Sequence, residues 1–205
     1  MIGALPNVLA VNPKVPARSL AELVAYAKAR PGQLFFASSG NGASSHLAGA
    51  LFNGIAGTEI KHVPYRGTGP ALNDLIAGHV QMTFTDVLTA APHVRAGTIN
   101  AIGVTTLARS GAMPQVPTLA EQGLAGFDVS VFFGIVAPKN TPRATITALN
   151  RAFVEAMADP ALARVLESQG IIRDLDTSPE RLTRLMQQEI AKWRTVVETS
   201  GAQLD

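Results

Sequence analysis

The most informative segment of the sequence is Ala37-Ser38-Ser39-Gly40-Asn41-Gly42-Ala43-Ser44-Ser45-His46. The residues before it, 33–37, predict a short strand, and the apolar residues from about 44 to 55 predict a helix that Gly57 ends. Glycines let the backbone turn its N–H groups toward a ligand, and the first turn of a helix adds unpaired N–H groups and a positive dipole end. The order strand, glycine loop, helix therefore predicts an anion site, with the backbone N–H groups of residues 42–45 pointing into an open concavity.

The candidate ligand residues of this loop are the serines, the glycines and their two polar neighbours: Ser38, Ser39, Gly40, Asn41, Gly42, Ser44, Ser45 and His46. Serine hydroxyls can add hydrogen-bond donors to the backbone N–H groups. The loop could equally be a flexible entry to a capped helix that binds nothing. It lacks the lysine of a phosphate-binding P-loop and does not follow the dinucleotide-binding glycine pattern, so nucleotide binding is not indicated.

Two further segments also follow predicted strands. Residues 63–71 bring Tyr65, Thr68 and a helix start after one strand, and residues 83–86 bring Asp86 after another. Ligands of open parallel sheets bind beyond the carboxyl ends of the strands. We therefore expect Tyr65, Thr68 and Asp86 to face the same cleft as Ser38. Asp86 could bind a ligand amine or could only cap the helix that follows it.

Strands and helices alternate from residue 7 to about 105 with short connections, which predicts a mostly parallel sheet covered by helices. Residues 129–137 predict one long apolar strand. Helices are predicted at about 142–158, 160–168 and 179–199, the last with one buried face. We predict a complete α/β lobe at residues 12–98 and assign residues 1–11 and 99–205 to an incomplete second lobe. The face predicted to be buried consists of Leu182, Leu185, Met186, Ile190 and Trp193.

Composition excludes several classes of function. The net charge is +2, and the basic residues are scattered, so no nucleic-acid partner is indicated. The chain has no cysteine, which excludes disulfides, thiolate catalysis and cysteine-ligated metal. The apolar N-terminal residues are too short and too interrupted by proline for a membrane helix, and no basic segment of an export signal precedes them.

Catalysis is not indicated either. Ser44, His46 and Asp86 could suggest a hydrolase, but there is no G-x-S-x-G elbow. Ser44 and His46, two residues apart on one helix, point to different faces. His46 is better interpreted as a residue that packs the helix or orients a hydroxyl. The four histidines have no metal-ligand spacing, so neither a metal nor another cofactor is expected.

The sequence resembles the periplasmic receptors of tripartite tricarboxylate transporters, the Bug family. The resemblance rests on Pro6-Asn7-Val8-Leu9-Ala10-Val11-Asn12-Pro13, the glycine loop with the helix start Ser44-Ser45-His46-Leu47-Ala48-Gly49, His62-Val63-Pro64-Tyr65-Arg66-Gly67, Val116-Pro117-Thr118, Phe133-Gly134 and a closing Leu204-Asp205. It implies a type II periplasmic-binding-protein fold with one complete lobe and one incomplete lobe. It also implies a non-catalytic receptor that binds a small organic carboxylate, such as a dicarboxylate, amino acid or aromatic acid, and delivers it to membrane transporter subunits.

In this family the Ser38–Ser45 loop would hold one carboxylate together with a Pro-Gly-Gly loop from the opposite lobe, which this sequence lacks. Phe132 would form a side wall of the cleft, where many relatives have tryptophan. The alternative is a truncated remnant that neither binds a ligand nor takes part in transport. An incomplete lobe would also expose an apolar strand, so we expect that lobe either to self-associate with another copy or to be rearranged.

Overall fold

The structure is a computed structural model that describes residues 1–200, so the Leu204-Asp205 part of the resemblance lies outside the described residues. None of the helices in that range combines the length and the apolar character needed to cross a membrane. The elements are β1 (Gly3–Val11), α1 (Leu20–Lys28), β2 (Phe35–Ser38), α2 (Ser44–Ala56), β3 (Lys61–Pro64), α3 (Thr68–Ala77), β4 (Met82–Asp86), α4 (Val87–Arg95), β5 (Asn100–Val104), β6 (Ser130–Phe133), α5 (Arg143–Met157), α6 (Pro160–Ser168), β7 (Ile172–Arg173) and α7 (Pro179–Ser200).

The main sheet has the strand order β3-β2-β4-β1-β5. β2 pairs in parallel with both β3 and β4, whereas β1 runs antiparallel to β4 and β5. The predicted parallel sheet is therefore confirmed with one exception, the antiparallel strand β1. An α/β sheet with helices on both faces is what the alternating sequence pattern requires.

β1 is shared between two sets of strands. Its second half, from Asn7 to Val11, lies between β4 and β5 in the main sheet. Its first half, from Gly3 to Pro6, pairs with β6 and, at Gly3 and Ala4, with β7. Residues 1–11 and 99–205 were assigned to the second lobe, but within these ranges half of β1 and all of β5 are hydrogen-bonded into the main sheet. The division into two lobes stays a prediction.

Apolar residues fill both faces of the main sheet. On one face, Phe52, Phe84 and Phe127 are fully buried. The ring centroids of Phe52 and Phe84 are 6.0 Å apart, and those of Phe84 and Phe127 are 5.9 Å apart. Leu75 and Val80 belong to the cluster on the other face. Such burial contributes roughly 1.5–3 kcal/mol for each large side chain. The sheet is therefore held rigidly between two layers, and its strand ends are fixed.

Buried hydrogen bonds of Thr105 join the two halves of the chain. Its hydroxyl oxygen accepts the N–H of Asn7 at 3.1 Å and lies within donating distance of the carbonyl oxygens of Asn7 and Val129. The Thr105 side chain is fully buried. It therefore ties β1, the end of β5 and the entry to β6 together at the point where β1 leaves the main sheet.

Two predictions about the second half of the chain are wrong in extent. The predicted strand 129–137 is shortened to β6, Ser130–Phe133, and Val136 beyond it is 76% exposed. On α7 only Leu182 of the predicted buried face is buried, and Ile190 is 60% exposed. A strand needs a pairing partner and a helix face needs a cover, and the described residues supply only part of each.

Candidate functional site

Three strand ends meet at one edge of the main sheet. β2 ends at Ser38 beside Pro64, the end of β3, and β4 ends at Asp86 opposite Asn7 of β1. Because β2, β3 and β4 are parallel neighbours, the segments after them leave the sheet from the same edge. The strand order thus brings together the serine loop (residues 38–45) and the segments that carry Tyr65, Thr68 and Asp86, as the strand prediction required.

Hydrogen bonds inside the serine loop fix its shape. The Ser45 hydroxyl accepts the N–H of Ser39 at 2.9 Å and lies 3.1 Å from the Ser39 hydroxyl. The Ser38 hydroxyl, which is fully buried, accepts the N–H of Gly40 at 3.2 Å. Ser38 and Ser45 therefore build the loop, while Asn41 at its tip is exposed and Ser44 is half-buried.

Of the backbone N–H groups at residues 42–45, the first two are bonded inside the protein and the last two have no side-chain cap. We expected those of residues 42–45 to face open space. However, the N–H of Gly42 is donated to Nδ1 of His46 at 3.1 Å, and that of Ala43 to the carbonyl of Gly40 at 3.3 Å. Ala43 is the N-cap of α2 and provides no side-chain acceptor, so the N–H groups of Ser44 and Ser45 begin the helix without a side-chain cap. An anion can satisfy those two groups.

Two stacked histidines lie beneath the loop. The rings of His46 and His62 are parallel within 6°, with centroids 3.7 Å apart, and the ring of Phe36 stacks on His62 at 5.0 Å. Nε2 of His62 is hydrogen-bonded to the Ser38 hydroxyl. Burial lowers the pKa of His46, and burial followed by the charge of His46 lowers the pKa of His62 from 6.5 to about 4. Both imidazoles are therefore neutral at pH 7.

This pair predicts a loss of stability in acid. A histidine with a lowered pKa binds fewer protons in the folded than in the unfolded chain, so stability is full above pH 6.5 and falls toward pH 4. After solvent screening of the half-buried His62 ring is allowed for, we expect a loss of about 1–2 kcal/mol. Urea unfolding at pH 7 and pH 4.5 measures it. His62→Phe, which can keep the stack, should reduce the pH dependence, whereas His79→Gln, at an exposed histidine, should not. An unchanged slope in His62→Phe would contradict the assignment.

Tyr65 and Thr68 lie on the loop next to the serine loop. The N–H of Tyr65 is donated to the carbonyl of Ser38 at 3.0 Å, and that of Gly67 to the carbonyl of Ser39 at 3.1 Å, so the two loops are bonded together. The Tyr65 hydroxyl donates to Asp74 at 2.6 Å. Burial, that hydrogen bond and the Asp74 charge raise the pKa of Tyr65 to about 12. Tyr65 can therefore offer a ligand only an acceptor, whereas Thr68 begins α3 and is half-buried.

Asp86 and Phe132 have different surroundings from the loop. The Asp86 carboxylate accepts the N–H and the hydroxyl of Thr89 at 2.7 and 2.8 Å, so it caps α4, one of the two roles left open for it. Phe132 lies in β6, where it pairs with Ala4 in the half of β1 that has left the main sheet. A ligand-binding role for either residue stays a prediction.

Sequence reasoning missed Asn7 and His62. Asn7 is 2% exposed and has an unpaired side-chain nitrogen at the same sheet edge, opposite Asp86. A polar residue that opens the apolar run 8–11 was the available signal. His62 was noted for its lack of metal-ligand spacing and as part of the run His62–Gly67, but it was given no role in the site. The position of the His62 ring depends on the parallel pairing of Phe36 with His62, which places the rings of these two residues on the same face of the sheet.

Relatives of known sequence extend beyond this chain. A protein from the tcbD-tcbE intergenic region of Pseudomonas sp. strain P51 is 39% identical, and the match covers 96% of this chain and 59% of the relative. BugT of Bordetella pertussis is 37% identical, with 100% of this chain and 62% of BugT covered. The chain thus spans about 60% of the length of these relatives.

Solved structures agree with the fold. R. palustris Rpa4515 with adipate superposes with a TM-score of 0.87 at 34% identity, over 98% of this chain and 67% of Rpa4515. MatC from Rhodopseudomonas palustris with bound malate gives 0.83 at 31% identity, over 95% of this chain and 67% of MatC. The periplasmic binding protein BugD superposes with a TM-score of 0.82 at 28% sequence identity, over 98% of this chain and 69% of BugD. The family described as "Tripartite tricarboxylate transporter family receptor" matches residues 1–202. The chain therefore belongs to the tripartite tricarboxylate transporter receptor family.

Proposed function

We propose that this chain is a periplasmic solute receptor whose serine loop binds one carboxylate of a small organic acid and that presents the acid to membrane transporter subunits. The single observation that supports it most is the start of α2. Two N–H groups without a side-chain cap, those of Ser44 and Ser45, lie there at the carboxyl edge of the sheet. A carboxylate satisfies such groups and is stabilised by the helix dipole.

The character of the surrounding residues also favours an anion. α2 has no acidic residue in its first turn. The exposed Arg66 lies one residue before Gly67, whose N–H is bonded to the serine loop. Asp86, the carboxylate at the same sheet edge, is engaged by Thr89. A carboxylate ligand therefore has donors and a cation near the loop.

The chemistry of the ligand is best taken as a dicarboxylate. Rpa4515 was solved with adipate and MatC with malate, and both molecules carry two carboxylates. Amino acids and aromatic acids share the single carboxylate that the loop would hold, so they are the next candidates. Thermal unfolding with adipate, malate, glutamate and benzoate separates these classes. A ligand at a hundred times its Kd should add about 2.7 kcal/mol of stability.

Replacing Gly42 tests the loop directly. Gly42 has a φ of 70°, a conformation that a β-branched side chain adopts at a cost of roughly 1–3 kcal/mol. Gly42→Val should reshape the loop and weaken adipate or malate binding by at least about tenfold, measured by calorimetry. Gly97→Val is the matched control, because Gly97 has a φ of 69° but follows α4, at the opposite edge of the sheet.

The outcomes separate the proposal from its alternative. Loss of binding in Gly42→Val with retention in Gly97→Val supports the loop as the carboxylate site. Equal binding in both variants would contradict it. No stabilisation of the unmodified chain by any of the four acids would favour the alternative of a remnant without ligand binding.

A further inference from the structure

We propose that His46 is the positioning residue of the serine loop, and that the loop keeps its binding shape only while the stacked imidazoles are neutral, so that acid releases the carboxylate. This inference rests on the proposed function and adds to it a means of release. It assigns His46 a role through the loop backbone instead of a direct contact with the ligand.

The first step is the hydrogen bond between Gly42 and His46. A backbone N–H can only donate, so Nδ1 of His46 must carry a free lone pair, and the ring hydrogen of the neutral form is on Nε2. Gly42 is held in its left-handed conformation by this bond and by its neighbours in the loop. The shape of the loop immediately before α2 is thus set by a titratable side chain that is itself 5% exposed.

The second step is what a proton does. In the neutral pair the Gly42 nitrogen lies 3.1 Å from Nδ1 of His46. When Nδ1 is protonated it becomes a donor, so two donors face each other across that distance. The Gly42 N–H then loses its partner, which costs roughly 1–3 kcal/mol unless the loop moves. A moved loop no longer presents the N–H groups of Ser44 and Ser45 in the same place. Protonation and carboxylate binding therefore oppose each other.

The third step is why the pair is normally neutral. His46 is buried, which lowers its pKa, and His62 stacks on it closely enough that one charge disfavours the other. His62 also orients the Ser38 hydroxyl, which in turn accepts the Gly40 N–H. The two rings thus hold the loop at two points, through Gly42 and through Ser38.

Several charged groups on the elements packed around the pair have partners of their own. On α3, which packs against β2, Asp74 accepts the Tyr65 hydroxyl. α2 and β2 carry no charged residue. On β3, the Lys61 ammonium lies 6.0 Å from the ring centroid of Phe35. On β4, Asp86 binds Thr89. On α7, which packs against α2, Glu189 pairs with Lys192 at 2.8 Å. Burial therefore determines when His46 takes up a proton, and the charge on His46 then disfavours a second charge on His62.

The test uses two replacements of His46. In His46→Asn the amide oxygen is attached to Cγ as Nδ1 is, so it can accept the Gly42 N–H and does not titrate. In His46→Leu no acceptor remains. We expect His46→Asn to bind adipate at pH 7.5 within about threefold of the unmodified chain, and His46→Leu to bind about tenfold more weakly. As the pH falls from 7.5 toward 4.5, the unmodified chain should lose more affinity for adipate than His46→Asn, which corrects for titration of adipate itself.

A readout without ligand separates this inference from the proposed function. In the unliganded chain the amide NMR resonance of Gly42 should shift with the titration of the His46 ring, and it should not titrate in His46→Asn. If none of the four acids binds but the Gly42 resonance shifts with the His46 titration, the proposed function fails and the positioning role stands. A Gly42 resonance that ignores the ring, or a His46→Leu that binds as well as the unmodified chain, would overturn the inference.

Discussion

Replacing Gly49 with alanine is expected to lower the free energy of unfolding by about 3 kcal/mol, the upper part of the range for overpacked cores. Gly49 lies in α2, where the helix crosses β2, and a Cβ there would sit 2.6 Å from Cδ2 of Phe36 and closer still to the outer atoms of that ring. Phe36 is 2% exposed and stacks on His62, so its ring has little room to retreat. Urea unfolding measures the loss.

The matched control is in the same helix. A Cβ on Gly54 would meet nothing within 4 Å, so Gly54→Ala should stabilise the chain by about 0.5–1 kcal/mol through helix propensity alone. Phe36→Leu in the Gly49→Ala background should recover part of the loss, because the two positions are in contact and are not additive. A Gly49→Ala variant as stable as the unmodified chain would mean that the Phe36 ring can slide without cost.

Much of the fold could be predicted from local sequence signals. The helix at Leu20–Lys28 begins directly after Ser19, whose hydroxyl accepts the N–H of Glu22, and a serine followed three residues later by glutamate is a local signal of a helix start. Capping, glycine stops and apolar runs act within a few residues, which is why they are visible in the sequence. The length of β6 and the exposure of Ile190 depend on what covers them, and no local pattern carries that information.

The candidate site shows the same contrast. Ser38, Tyr65 and Asp86 could be placed at one edge because parallel strands share their direction. The contact between His46 and His62 could not be predicted, because it depends on the register of β2 against β3 and on how α2 crosses them. The expectation of outward N–H groups at Gly42 was wrong for the same reason, since their acceptor comes from a ring four residues later.

The second half of the chain exposes an apolar face. Three apolar side chains are exposed along one side of α7, and we call them the α7 stripe: Met186, Ile190 and Val197. Leu149 of α5 is also 58% exposed. Burying such a side chain contributes roughly 1.5–3 kcal/mol, so leaving several in water is costly. The alternative of a rearranged second lobe is wrong, because 98% of the chain superposes on Rpa4515 with a TM-score of 0.87.

We therefore predict that the chain self-associates through the α7 stripe of a second copy, since a two-fold contact lets one apolar patch cover itself. Ile190→Glu would bury an unpaired carboxylate in that contact and should weaken association by at least about a hundredfold, with a change of no more than about 0.5 kcal/mol in the stability of the monomer. Gln188→Glu adds the same charge to the opposite, exposed side of α7 and should leave association unchanged. Sedimentation of the three forms over a range of concentrations decides the matter. An unmodified chain that stays monomeric throughout would contradict the prediction and would favour a cover from outside this chain, such as the part of the longer relatives that it does not match.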